Sequence, residues 1–107
     1  ILPNYEATKA LIAQHNPKKR DIPVVLGEWG YNRKDVTPEE QANMAMRQAL
    51  VGLMVGSPMS LWASWKGDIM KVDDDSDDGE LQYGLVTKDI KAYPAYHALQ
   101  TLAKELA

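Results

Sequence analysis

Helical and strand-forming segments alternate along the 107 residues, and both strand candidates are apolar on both faces. These two observations predict an α/β fold built on a parallel sheet with helices packed over it. A third narrows the class. Each strand–helix unit of an eight-fold (β/α) barrel takes about thirty residues of roughly 250. This chain has room for two such units and one helix before them, so the expected architecture is the closing segment of a (β/α)8 TIM barrel.

The elements follow in order. Asn4 is placed to cap a first helix running from Tyr5 to about Asn16, with Tyr5, Thr8, Leu11, Ile12 and His15 as its inner stripe. Pro17 disfavours helical geometry at Asn16 and ends it. The run Ile22-Pro23-Val24-Val25-Leu26-Gly27, closing in Glu28-Trp29-Gly30, predicts the first strand. Thr37-Pro38-Glu39-Glu40 then supplies an N-cap, a first-turn proline and the acid of a capping box. The second helix is expected to bury Ala42, Ala45, Met46, Ala49, Leu50 and Leu53, and to stop at Gly56-Ser57-Pro58. Met59 to Trp65 predicts the second strand, ended by Lys66-Gly67-Asp68. An irregular acidic stretch leads to a last helix from Pro94 to about Leu106, with Ala95, Ala98, Leu99, Leu102 and Leu106 as its apolar side.

Two strands cannot complete a parallel sheet, because both outer edges would offer unpaired backbone groups. The whole of 1–107 is therefore expected to be a quarter of a barrel domain, incomplete without upstream strands on the same or a second chain. The start, Ile1-Leu2-Pro3, has no initiator Met and no signal-peptide pattern, as expected of a piece of something longer.

Composition excludes other classes. Fifteen acidic against twelve basic residues give a net charge of −3, and there is no basic stripe to hold a nucleic-acid backbone. Lys18-Lys19-Arg20 reads as a solvated helix end favoured by the dipole. No apolar run reaches the ~18 residues of a membrane span. With no cysteine there is neither a disulfide framework nor a thiolate metal site, and that absence does not fix a compartment. The seven glycines are scattered and form no nucleotide-binding loop. His15 and His97 lack a carboxylate at metal-ligand spacing. No cofactor or metal is expected.

Parallel α/β folds place their chemistry at the carboxyl ends of strands. By the period of two, Val24, Leu26 and Glu28 share a face, leaving Glu28 as the charged group at the strand exit. A carboxylate there suits a nucleophile or general base. The competing role is a loop cap or an ion pair with Arg33. The second strand delivers Trp62, sharing a face with Ser64, and then Trp65 at its exit. Indole faces suit the C–H surfaces of sugar rings, but buried Trp is also ordinary core material. Trp29, of opposite parity to Glu28, reads as packing. Tyr31 in the following loop offers a hydrogen bond to a ligand or simply anchors the loop.

Together these segments resemble a known family. Pro23-Val24-Val25-Leu26-Gly27-Glu28-Trp29-Gly30 resembles the seventh strand of clan A glycoside hydrolases, notably of families 39 and 5. Leu61-Trp62-Ala63-Ser64-Trp65-Lys66-Gly67-Asp68 resembles their eighth strand. Tyr83-Gly84-Leu85-Val86 and Lys91-Ala92-Tyr93-Pro94-Ala95-Tyr96-His97-Ala98-Leu99 resemble the passage into their eighth helix. The resemblance implies helix 6, strand 7, helix 7, strand 8 and helix 8 of a retaining β-glycosidase acting on β-linked poly- or oligosaccharide. It assigns Glu28 as nucleophile, Trp62 as the floor of the sugar site, and Trp65 and Tyr31 as further substrate contacts. The family's acid/base Glu, in an Asn-Glu pair on the fourth strand, has no counterpart, for no Asn-Glu pair occurs here. Ala63-Ser64 departs from the frequent Tyr-Asp, and Ala92-Tyr93 from the usual Lys before Pro.

Six of the acidic residues crowd into Asp73 to Glu80. The run does not fit an EF-hand, since the required glycine and twelfth-position glutamate are misplaced. It reads as an exposed acidic loop. Two other functions fit the same residues: a carbohydrate-binding barrel without catalysis, and a fragment that completes a sheet with another chain.

Overall fold

The computed structural model describes residues 2–66, 82–87 and 89–107. Their order is α1 (Leu2–Gln14), β1 (Leu26–Trp29), α2 (Pro38–Met54), β2 (Ser60–Trp62) and α3 (Pro94–Glu105). The strands β1 and β2 pair in parallel as one two-stranded sheet. The chain is thus a small α/β unit with the expected alternation. The acidic run Asp73–Asp78 lies outside the described residues. Among the described residues no helix is long and apolar enough to cross a membrane.

The strands are shorter than the apolar runs that announce them. Pro23 has no N–H to give a ladder, and regular pairing begins only at Leu26, whose N–H donates to the Met59 carbonyl at 3.0 Å. Beyond Trp62 the chain keeps finding partners outside the sheet proper. Leu85 and Val86 N–H groups both donate to the Trp65 carbonyl, at 2.9 and 3.1 Å. Val86 also bridges Lys66 and Ala92. The stretch before α3, which the sequence presents as irregular, therefore returns along the exit of β2 and ends buried at Gly84 and Val86.

Helix α1 begins before the predicted Asn4 cap, at Leu2. Asn4 lies inside it, its carbonyl accepting from the Thr8 hydroxyl at 2.9 Å. Pro3 fits a first turn because that turn's N–H groups have no intrahelical partner anyway. Of the predicted stripe only Tyr5 is buried, with Ile12 half-buried and Leu11 exposed. Lys18, Lys19 and Arg20 are all exposed.

Helix α2 has the predicted start. Thr37 accepts from the Glu40 N–H at 3.1 Å, and the Glu40 carboxylate accepts from the Thr37 N–H at 2.8 Å. This reciprocal bonding satisfies two otherwise orphaned donors. Thr37→Ala should lower stability by ~1 kcal/mol, read as a lower urea midpoint with unchanged slope.

The core forms where α2 meets α3. Ala42, Ala45 and Ala95 are buried there, with Trp29, Trp62, Leu85, Ala98 and Leu99 packed around them. The predicted inner face of α2 is rotated. Gln41, Ala42, Ala45, Gln48 and Gly52 are buried, whereas Leu50 and Leu53 are exposed. Among them the small Ala45 and Gly52 let α2 approach the sheet closely. A Cβ on Gly52 would stand 3.1 Å from Leu26 Cδ1. On α3, Ala95 is buried and Leu102 half-buried, while Leu106 is exposed.

Candidate active site at the strand exits

Parallel pairing brings the exits of β1 and β2 to the same end. The register is Leu26 with Ser60, Glu28 with Leu61 and Trp29 with Trp62, so one extra residue of β1 is inserted between Leu26 and Glu28. A bulge of this kind interrupts the alternation of faces. The expected shared face of Val24, Leu26 and Glu28 is corrected accordingly, since the period of two holds only along an unbroken ladder. Glu28 stands beside Leu61 and is exposed.

Trp62 stands beside Trp29 rather than Glu28. The two indoles meet edge to face, centroids 5.0 Å apart, and both pack against the alanine core beneath α2 and α3. Trp62 Nε1 donates to the Tyr83 carbonyl at 2.9 Å, and Trp29 Nε1 donates to the Ser60 hydroxyl. Each half-buried indole thus has a partner for its N–H, as a buried Trp requires. Trp65 lies differently. It is 54% exposed and touches the Tyr96 ring of α3 edge-on at 5.8 Å. Of the three tryptophans it offers the most free indole surface. The peptide joining Ala63 to Ser64, between Trp62 and Trp65, is cis.

Tyr31 is half-buried, its ring 6.4 Å from that of Trp29. Its carbonyl is fixed by the Gln41 side-chain amide, which donates to it at 2.7 Å. Arg33, the alternative partner for Glu28, is engaged elsewhere. Its Nη1 donates to Gln41 Oε1 at 3.2 Å and to the Gly84 carbonyl, and its guanidinium lies 3.6 Å from the centre of the Tyr93 ring. The loop after β1, the start of α2 and the 82–84 segment are therefore tied at one point by Arg33, Gln41 and Tyr93. None of the three stands out as a functional residue in the sequence. The signal available was a glutamine one helical turn before Ala45, on the face the core uses.

Gly30 closes the β1 exit against β2. A Cβ there would lie 2.6 Å from the Ala63 carbonyl oxygen and 3.0 Å from Tyr83 Cδ1. That carbonyl belongs to the residue whose N–H donates to Trp29 at 2.9 Å, so it cannot retreat without disturbing the pairing. Gly30→Ala should destabilise by about 2–3 kcal/mol. Gly27→Ala, which meets nothing within 4 Å, is the control and should shift a denaturation midpoint far less.

The same arrangement of helices and strands recurs in a solved structure, that of a family 39 glycoside hydrolase from the gut symbiont Bacteroides cellulosilyticus WH2. The TM-score is 0.75, with 24% sequence identity over 95% of this chain. The chain shares its fold with a segment of a glycoside hydrolase. It spans 20% of that enzyme's length. No family model matches the sequence, and no curated protein does. The likeness to the glycoside hydrolase segment is thus carried by the path of the backbone more than by residue identity. Among the described residues no three His, Cys, Asp or Glu side chains converge as a metal site would require.

Proposed function

We propose that this chain is the closing part of a (β/α)8 barrel glycoside hydrolase that cleaves β-linked poly- or oligosaccharide with retention. The observation that carries the proposal is the parallel β1–β2 pair, with a carboxylate at one exit and tryptophans at the other, within a fold shared with a glycoside hydrolase. In this reading Glu28 attacks the anomeric carbon, forming a glycosyl ester as the leaving oxygen takes a proton. Retention requires a second carboxyl group about 5–5.5 Å from the first, acting as acid and then as base towards water. That group belongs to a strand outside this chain, and the same upstream strands cover the open sheet edges.

The exposed Trp65 is the more open sugar platform, and Trp62 offers the part of its indole that the core leaves uncovered. Tyr31 borders the same exit. A 2-deoxy-2-fluoroglycoside with a good leaving group, applied to the full-length protein, should trap the ester. Peptide mapping should find the label on Glu28. Labelling of any other residue overturns the assignment.

A further inference from the structure

A cleft of about 460 Å³ lies between the first turn of α1 and α2. That is within the size range of small-molecule sites. Leu2, Met44 and Val51 supply apolar walls, and Tyr31 forms one end. Two polar side chains also line it. Gln48 is only 6% exposed, and among the described residues its amide has no hydrogen-bond partner. No fully buried side-chain nitrogen or oxygen among those residues is left unpartnered, so the Gln48 amide keeps its contact with solvent, and it does so through the cleft it lines. Burying an amide without a partner is costly, which makes this group one that a ligand would satisfy. Arg47 is exposed beside it. Among the described residues none that lines the cleft is acidic.

We propose that this cleft binds a small organic anion, with a ring or other apolar body against Met44 and Val51. Its oxyanion head is held by the Arg47 guanidinium and the Gln48 amide N–H. A guanidinium presents a planar fork suited to carboxylate or phosphate, and the amide adds a neutral donor whose pairing is otherwise missing. The apolar walls select against free inorganic ions, which carry no body to fill them. The proposal assigns no role to Glu28; Tyr31 is the residue that the cleft and the β1 exit share.

The test is an NMR titration of the full-length protein with benzoate, phenyl phosphate and the neutral benzyl alcohol, following the Gln48 side-chain amide and the Tyr31 backbone amide. At least one of the two anions should give saturable shifts that weaken with added salt, and which one does so separates carboxylate from phosphate recognition. Benzyl alcohol should bind at least tenfold more weakly. Arg47→Ala should lower the anion's affinity at least tenfold with the circular dichroism spectrum unchanged, Arg47→Lys should lower it less, and Gln48→Leu should weaken it as well. Equal binding of benzyl alcohol would reduce the site to an apolar groove and overturn the proposal. An Arg47→Ala variant that binds like the parent, or the absence of any saturable shift with both anions, would do the same.

Discussion

Glu28→Gln is expected to lower kcat on an aryl β-glycoside by on the order of 10⁴-fold in the full-length protein, with little change in melting temperature. Removal of the group that forms the covalent intermediate takes away the route that divides a difficult displacement into two easier ones. Losses of this order or larger follow deletion of nucleophiles elsewhere. The amide has nearly the shape of the carboxylate, so sugar binding should survive. Stability should survive too, because Glu28 is exposed and Arg33 is bonded to Gln41 and Gly84 instead of to it. A loss below tenfold would remove Glu28 from the chemistry. Retained oligosaccharide binding in a parent protein that itself shows no turnover would favour the carbohydrate-binding barrel over the enzyme.

The parts legible in the sequence are those set by local chemistry. Thr37, Pro38 and Glu40 specify the start of α2 through side chains that bond within one turn, and the structure has each bond. The parallel relation of β1 and β2 follows from apolar runs separated by a helix, and it too is present. The faces were less legible. Hydrophobicity points to Leu50 and Leu53 as the inner side of α2, yet close approach to the sheet demands small residues, and the helix turns Ala45 and Gly52 inward. Within β1, alternation says that Leu26 and Glu28 share a face, but the bulge between them is a property of pairing with β2. No count along one strand can show it. Trp62 illustrates the consequence. Its neighbour in the sheet is Trp29, so the residue expected to floor a sugar site is in large part core, while Trp65 carries the open surface.

The junction at Gln41 was illegible for a related reason. A polar residue beside Ala42 on a helix reads as the solvent face, whereas partners distant along the chain, Tyr31, Arg33 and Gln82, meet its side chain. Its burial makes Gln41→Leu the substitution with the largest expected cost in stability, about 3–5 kcal/mol. Gln41 is fully buried. Its oxygen accepts from Arg33 at 3.2 Å, and its amide donates to the Tyr31 carbonyl at 2.7 Å and to the Gln82 carbonyl at 3.5 Å. Leucine is close in volume, so a cavity contributes little. The cost comes from leaving a guanidinium donor and the Tyr31 carbonyl short of partners, each worth about 1–3 kcal/mol when burial denies them water. The Gln82 carbonyl loses a long contact and keeps the Arg33 backbone N–H at 3.1 Å.

Arg33 would keep the Gly84 carbonyl and the face of Tyr93, which is why the sum stays below the maximum for two groups. A double-mutant cycle with Arg33→Ala separates the pair from its surroundings. Because the two side chains share one hydrogen bond and one buried network, the second substitution should cost less once the first is made, with a coupling of about 1–2 kcal/mol in urea denaturation. Additivity within about 0.5 kcal/mol would mean that Arg33 holds the 82–84 segment without Gln41. The loop carrying Tyr31 would then be fixed by Gln41 alone.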